Sequence, residues 1–110
     1  MSYREMNIKA VYFSKTSTFT AEVKYDLYGV NSSGGAVTVN LPAAADVPAG
    51  KTFIIKDVGG QSDSNNITID PAGSDIIDGA ATYAMDHDKE GITLVCNGTN
   101  GWVIISRVRP

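Results

Sequence analysis

The sequence predicts an all-β domain, a single β-sandwich of jelly-roll-like kind with about eight strands and little or no helix. Three observations carry this. Short segments rich in β-branched and aromatic residues recur along the chain, several with strict polar/apolar alternation. Clusters of Gly, Asn, Ser and Asp separate them, from a chain with eleven glycines and four prolines. The spacing from strand to strand is about 8–15 residues, as sandwiches and small barrels require. The best helical stretch, Pro42-Ala43-Ala44-Ala45-Asp46-Val47, is cut by Pro48 after one turn.

Taken in order, residues 8–13 and 18–23 are rich in strand formers. In 36–41, Val37, Val39 and Leu41 face a core while Thr38 and Asn40 face out. In 51–58, Phe53 and Ile55 share a face with Asp57, and Ile54 and Val58 share the other with Lys56. The segment 66–70 alternates again, with Ile67 and Ile69 inward. Residues 92–96 and 102–106 are nearly apolar throughout, so both their faces need cover, by the fold or by a neighbour. Ser32-Ser33-Gly34-Gly35 and Gly59-Gly60 are turns, and Asn97-Gly98-Thr99-Asn100-Gly101 joins the last two strands as a hairpin loop. No linker, internal repeat or low-complexity run stands out. The core is expected from Val37, Val39, Leu41, Phe53, Ile55, Ile67, Ile69, Leu94 and Trp102.

With 110 residues the chain makes one domain. Its 43% hydrophobic and 19% charged composition fits neither a disordered tail nor a membrane protein. A net charge of −3 argues against a nucleic-acid footprint. No apolar run approaches the roughly 20 residues of a membrane span, and residues 1–5 lack a secretory layout. Cys96 is the single cysteine, so no intramolecular disulfide forms.

Residues able to do chemistry are few. His87, between Asp86 and Asp88, could serve a base or a metal, but the segment from Asp86 to Gly91 reads as an exposed loop and His87 as solvated. Cys96 has no cationic neighbour in its apolar strand and reads as a buried, inert thiol. Asp63, Asp70, Asp75 and Asp78 resemble an oxygen-rich calcium loop in type but not in spacing, and read as turn residues. The sequons at Asn31, Asn66 and Asn97 read as turn and strand-edge chemistry. The expectation is therefore no enzyme, no catalytic residue, no metal and no cofactor. Tyr12, Phe13, Phe19, Tyr25 and Tyr28, interleaved with Lys9, Lys15 and Lys24, could stack sugars or single strands. An aromatic core or a subunit contact is the simpler reading, with Tyr12, Phe19, Tyr25 and Tyr28 as contact candidates.

A series of motifs then becomes recognisable. Ser32 to Ala44 leads into Ala49-Gly50-Lys51-Thr52-Phe53-Ile54-Ile55-Lys56-Asp57. Asn65-Asn66-Ile67-Thr68-Ile69-Asp70-Pro71-Ala72-Gly73 follows, then Ile77-Asp78-Gly79-Ala80-Ala81-Thr82-Tyr83 and Leu94-Val95-Cys96-Asn97-Gly98-Thr99-Asn100-Gly101-Trp102. The series resembles a small β domain that recurs in structural proteins of tailed bacteriophages, among them tail-fibre, tailspike-associated and capsid-decorating proteins. It spans about residues 26–106. It departs from the pattern in the charged Asp86-His87-Asp88-Lys89-Glu90 segment and in a Gly-Trp pair where an aromatic pair is usual.

The resemblance implies a homotrimer on the virion, made in the host cytoplasm; a decoration role would make the major capsid protein its partner, and charge and hydropathy leave neither nucleic acid nor membrane as one. The organisation expected is an N-terminal segment 1–25, as strands or a docking arm, and a β-sandwich module 26–110, compact overall. Residues 1–25 leave no room for a fibre shaft, so a capsid decoration (cement) protein is expected. The alternative is a small tail-fibre or tail-tip component binding a host-surface glycan; a carbohydrate-binding module or a lyase-type enzyme is the reading from a different class, with enzymatic function disfavoured by one His, one Cys and no paired acid/base set. Arg4, Arg107 and Arg109 are the candidates for docking on the capsid.

Overall fold

The computed structural model describes residues 11–110, with side chains from residue 14 on. It is an all-β sandwich of ten strands among the described residues: β1 (Val11–Lys15), β2 (Phe19–Thr20), β3 (Leu27–Val30), β4 (Val37–Asn40), β5 (Thr52–Asp57), β6 (Ile67–Asp70), β7 (Ile76–Ile77), β8 (Tyr83–Met85), β9 (Gly91–Cys96) and β10 (Gly101–Val108). The only helical piece among them is a 3-10 turn, Ala44–Asp46, in the alanine stretch where Pro48 forbids anything longer. No described helix is long and apolar enough to cross a membrane.

One sheet, A, has the order β1-β3-β5-β9-β10-β7; the other, B, has β2-β4-β6-β8. From β1 to β6 the chain alternates between the sheets, and each return lays a strand parallel to the one before it: β1 to β3 to β5 in sheet A, β2 to β4 to β6 in sheet B. The chain thus winds as a short coil. β8, β9 and β10 then close it with antiparallel pairings, and β7 adds at the far edge of sheet A. A jelly roll is built from antiparallel strands, so the connectivity differs from the one expected although the sandwich is as expected. Parallel strands need a crossover, and here the opposite sheet provides it.

The coil exposes a repeat that the linear reading missed. Val37, Thr38, Val39 and Asn40 sit directly beside Ile67, Thr68, Ile69 and Asp70, like beside like. Their burial follows the same alternation, inward Val37, Val39, Ile67 and Ile69 against outward Thr38, Asn40, Thr68 and Asp70. Unequal turns between coils hide this periodicity from a search at fixed spacing.

The nine residues expected in the core are all buried. With them lie Ala21, Tyr28, Val30, Ala44, Val47, Ile77, Met85, Ile92 and Cys96. β1 and β2 pair within sheets A and B, so the sandwich begins before residue 26. The β9–β10 hairpin forms as its residues dictate. The Asn97 side-chain oxygen accepts from the backbone N–H groups of Thr99, Asn100 and Gly101 at 2.8, 3.0 and 3.1 Å. Gly98 takes φ +77°, where a Cβ would also stand 2.9 Å from that of Ala49.

Candidate functional site

Two surfaces stand out: a charged corner and a largely apolar sheet face. The corner forms where the β8–β9 loop meets the end of β10. Glu90, placed by the sequence reading in an exposed loop, is fully buried. Its Oε2 accepts from the Tyr83 hydroxyl at 2.5 Å, and its Oε1 from the backbone N–H groups of Asp86 and His87 at 3.1 and 3.3 Å. The turn folds back over its own carboxyl group, which gives both buried oxygens hydrogen-bond partners. Burial first, then the bond to Glu90, pushes the Tyr83 hydroxyl above its ordinary pKa.

His87 is exposed, as expected. Its Nδ1 lies 3.0 Å from Asp86 Oδ1 and 2.6 Å from an Arg109 amino nitrogen, which also donates to Asp86 at 2.9 Å. The contacts with His87 and then Arg109 hold the exposed Asp86 carboxyl below its usual value. Asp86, His87 and Glu90 bring three potential ligand atoms within 4.8 Å of one another. Yet the Arg109 guanidinium stands among them, with its Nε 3.9 Å from Glu90 Oε1. The cation of this corner is the protein's own arginine. Beside it, Asp63, Asp86, His87, Asp88 and Pro110 line an open cleft of about 260 Å³.

The four aspartates with calcium-like composition do not converge. Asp75 accepts from the Ala44 N–H at 2.8 Å, Asp78 accepts from the Ile104 N–H at 3.1 Å, and the Asp63 N–H donates to Asp88. They shape turns and strand ends. Cys96 is buried, its thiol packed against the Ala44 carbonyl at 3.5 Å.

The aromatic residues offered as subunit contacts mostly face inward. Tyr28 is 1% exposed, so it belongs to the protomer's own core and its contact role is corrected. Phe19 and Tyr25 pack on it half-buried, with ring centroids 4.9 and 5.7 Å away. The Tyr12 side chain lies outside the described residues. Of the docking candidates, Arg4 also lies outside them. Arg107 donates to the Tyr83 hydroxyl at 3.3 Å with its guanidinium over that ring, and Arg109 is held at the corner. Both arginines are committed within the protomer, which weakens them as capsid contacts.

The second surface is the outer face of sheet A. Phe53, Ile55, Ile92 and Leu94 point inward, so their neighbours on β5 and β9 point out. Cross-strand register aligns Thr52, Val95 and Val103 in one outward row. Leu27, Ile54, Thr93 and Ser106 form the next. Val103 is 45% exposed, and Ile105, beside the row at the β10 bulge, is 61% exposed. The third row, Gly29, Lys56, Gly91 and Val108, carries the face's single charge among the described residues. The Lys56 ammonium donates to the Lys89 carbonyl. Sheet B faces out with Thr38, Asn40, Thr68 and Asp70, ordinary solvent-side residues. The sequence signalled this difference as strands apolar on both faces. No family model matches the chain, and no curated protein matches it in sequence.

Proposed function

We propose that this chain is a non-catalytic structural protein of a bacteriophage virion, a decoration protein that binds the assembled head as a trimer and stabilises it. The observation that carries the assembly role is the largely apolar outer face of sheet A, with Lys56 its single charge among the described residues, set against the polar outer face of sheet B. Exposed apolar sheet surface of this kind marks an interaction site. The motif series resembling phage structural domains supplies the virion and the number three.

A decoration protein recognises a surface that exists only on the assembled shell. Three linked copies repeat one weak contact, which raises the overall affinity by roughly 10² or more without a new contact type. Because Arg107 and Arg109 are engaged internally, this reading assigns the contact with the head to residues 1–5, Arg4 included. Labelling source virions with an antibody to this chain and imaging them by electron microscopy tests the location. Label distributed over the head is the expected result. Label confined to the tail, or virions without label, overturns the decoration role.

A further inference from the structure

We infer that the outer face of sheet A is covered by other copies of this chain, the three faces turned together about one axis. The inference deepens the proposed function, since it names the surface through which the copies associate, and it rests on that reading only for their number. The occupant follows from charge and size. The chain carries −3 overall. Elsewhere its described surface presents Glu22, Asp46, Asp63, Asp70, Asp78, Asp86 and Asp88 against Lys24, Lys89, Arg107 and Arg109, an acidic balance that two copies meeting there would have to bring together. The outer face of sheet A is free of that conflict. Leu27, Ile54, Val95, Val103 and Ile105 present apolar groups with threonines between them. Lys56 stands in the end row with its ammonium already on a carbonyl oxygen. A foreign partner selected by charge would find nothing to read, whereas a second copy answers apolar surface with apolar surface.

The size is right for the same occupant. Six strands at about 4.8 Å spacing span roughly 29 Å, and strands of about five residues run some 17 Å. The face thus covers on the order of 500 Å² in plan, more when side-chain relief is counted, which approaches the roughly 800 Å² per partner of a standard interface.

The test compares three chains by light scattering coupled to size exclusion at micromolar concentration. Wild type is expected at a multiple of 11.6 kDa. Val103→Asp, which buries a carboxylate at the contact, is expected to weaken association at least about 100-fold and run as the single chain. Ala84→Asp, on the exposed side of β8 in sheet B, is expected to keep the wild-type mass. Circular dichroism checks that each folds. Should Val103→Asp fail to fold, Ile105→Lys repeats the test at the bulge, where no cross-strand partner is at stake. A monomeric wild type overturns the inference, as does a folded face variant that keeps the wild-type mass. Binding of the same variants to undecorated heads separates this result from the proposed function. A monomeric wild type that still binds heads defeats the inference alone. A face variant that keeps its mass but loses the heads means the face docks on the shell, which also overturns it. Association through the face with no head binding defeats the decoration role alone.

Discussion

Replacing Asp57 with alanine is expected to lower the stability by about 3 kcal/mol, a large part of what a domain of this size possesses. Asp57 closes β5 with its carboxylate turned inward and fully buried. Oδ1 accepts from the Gly60 N–H at 2.9 Å; Oδ2 accepts from those of Ser62 and Lys89 at 3.2 and 2.9 Å. One side chain therefore ties the loop after β5 to the loop before β9. Lys89 takes φ +67° there, a strained conformation for a residue with a Cβ that this bond helps to hold. Alanine would leave three N–H donors facing no acceptor.

The same bonds predict a pH dependence. Burial alone would raise the Asp57 carboxyl, but the bonds from Lys89, Ser62 and Gly60 outweigh it and hold its pKa below the ordinary value. A carboxyl depressed in the folded state contributes stability above its unfolded pKa of about 3.9, and that contribution is lost as pH falls through the folded value. Urea unfolding at neutral pH and at several values below pH 4 measures both effects. Asp57→Asn should lose stability at neutral pH and show a shallower acid decline than wild type. An Asp57→Ala chain as stable as wild type would contradict this role.

Trp102→Ala is expected to cost about 4 kcal/mol, the upper range for truncating a buried aromatic. Trp102 is 1% exposed and stacks on Phe53 with centroids 5.4 Å apart at 25°. Phe53 meets Tyr28 at 6.2 Å, and Tyr28 meets Phe19 and Tyr25, so one aromatic chain runs from β10 to β2. Trp102→Phe separates packing from polarity. The indole N–H is buried without a hydrogen-bond partner among the described residues, so its removal forfeits no bond. The phenylalanine variant is expected to lose only about 1 kcal/mol, since most of the stacked surface remains. Equal losses for the two would mean that the ring phenylalanine keeps against Phe53 contributes little, and would contradict this packing role.

Faces were legible in the sequence and partners were not. Alternation in 36–41 and 66–70 placed Val37, Val39, Ile67 and Ile69 inward correctly, because a period of two reports which side a residue takes. It carries no information on whether the neighbouring strand runs parallel, so the coil of β1 to β6 was invisible. Asp57 was seen on the face of Phe53 and Ile55, but one of its donors, Lys89, comes from a loop distant in the chain. Glu90 was misplaced for a related reason. A charged run reads as solvated unless one knows that Tyr83 and the backbone of its own turn enclose one member. Of the aromatic cluster, Tyr28 turned inward into the protomer's own core, which a pattern of residue types alone does not reveal. The apolar excess signalled by 92–96 and 102–106 lies on β9 and β10, with β5 beside them.

The central claim, that this chain decorates an assembled phage head, is tested most directly by mixing the purified protein with undecorated heads and measuring co-sedimentation and the heads' melting temperature. The account predicts saturable binding, a stoichiometry in multiples of three chains and a higher melting temperature. Heads that sediment without the protein and melt unchanged, with binding found instead on tails or on host-surface glycan, would contradict it.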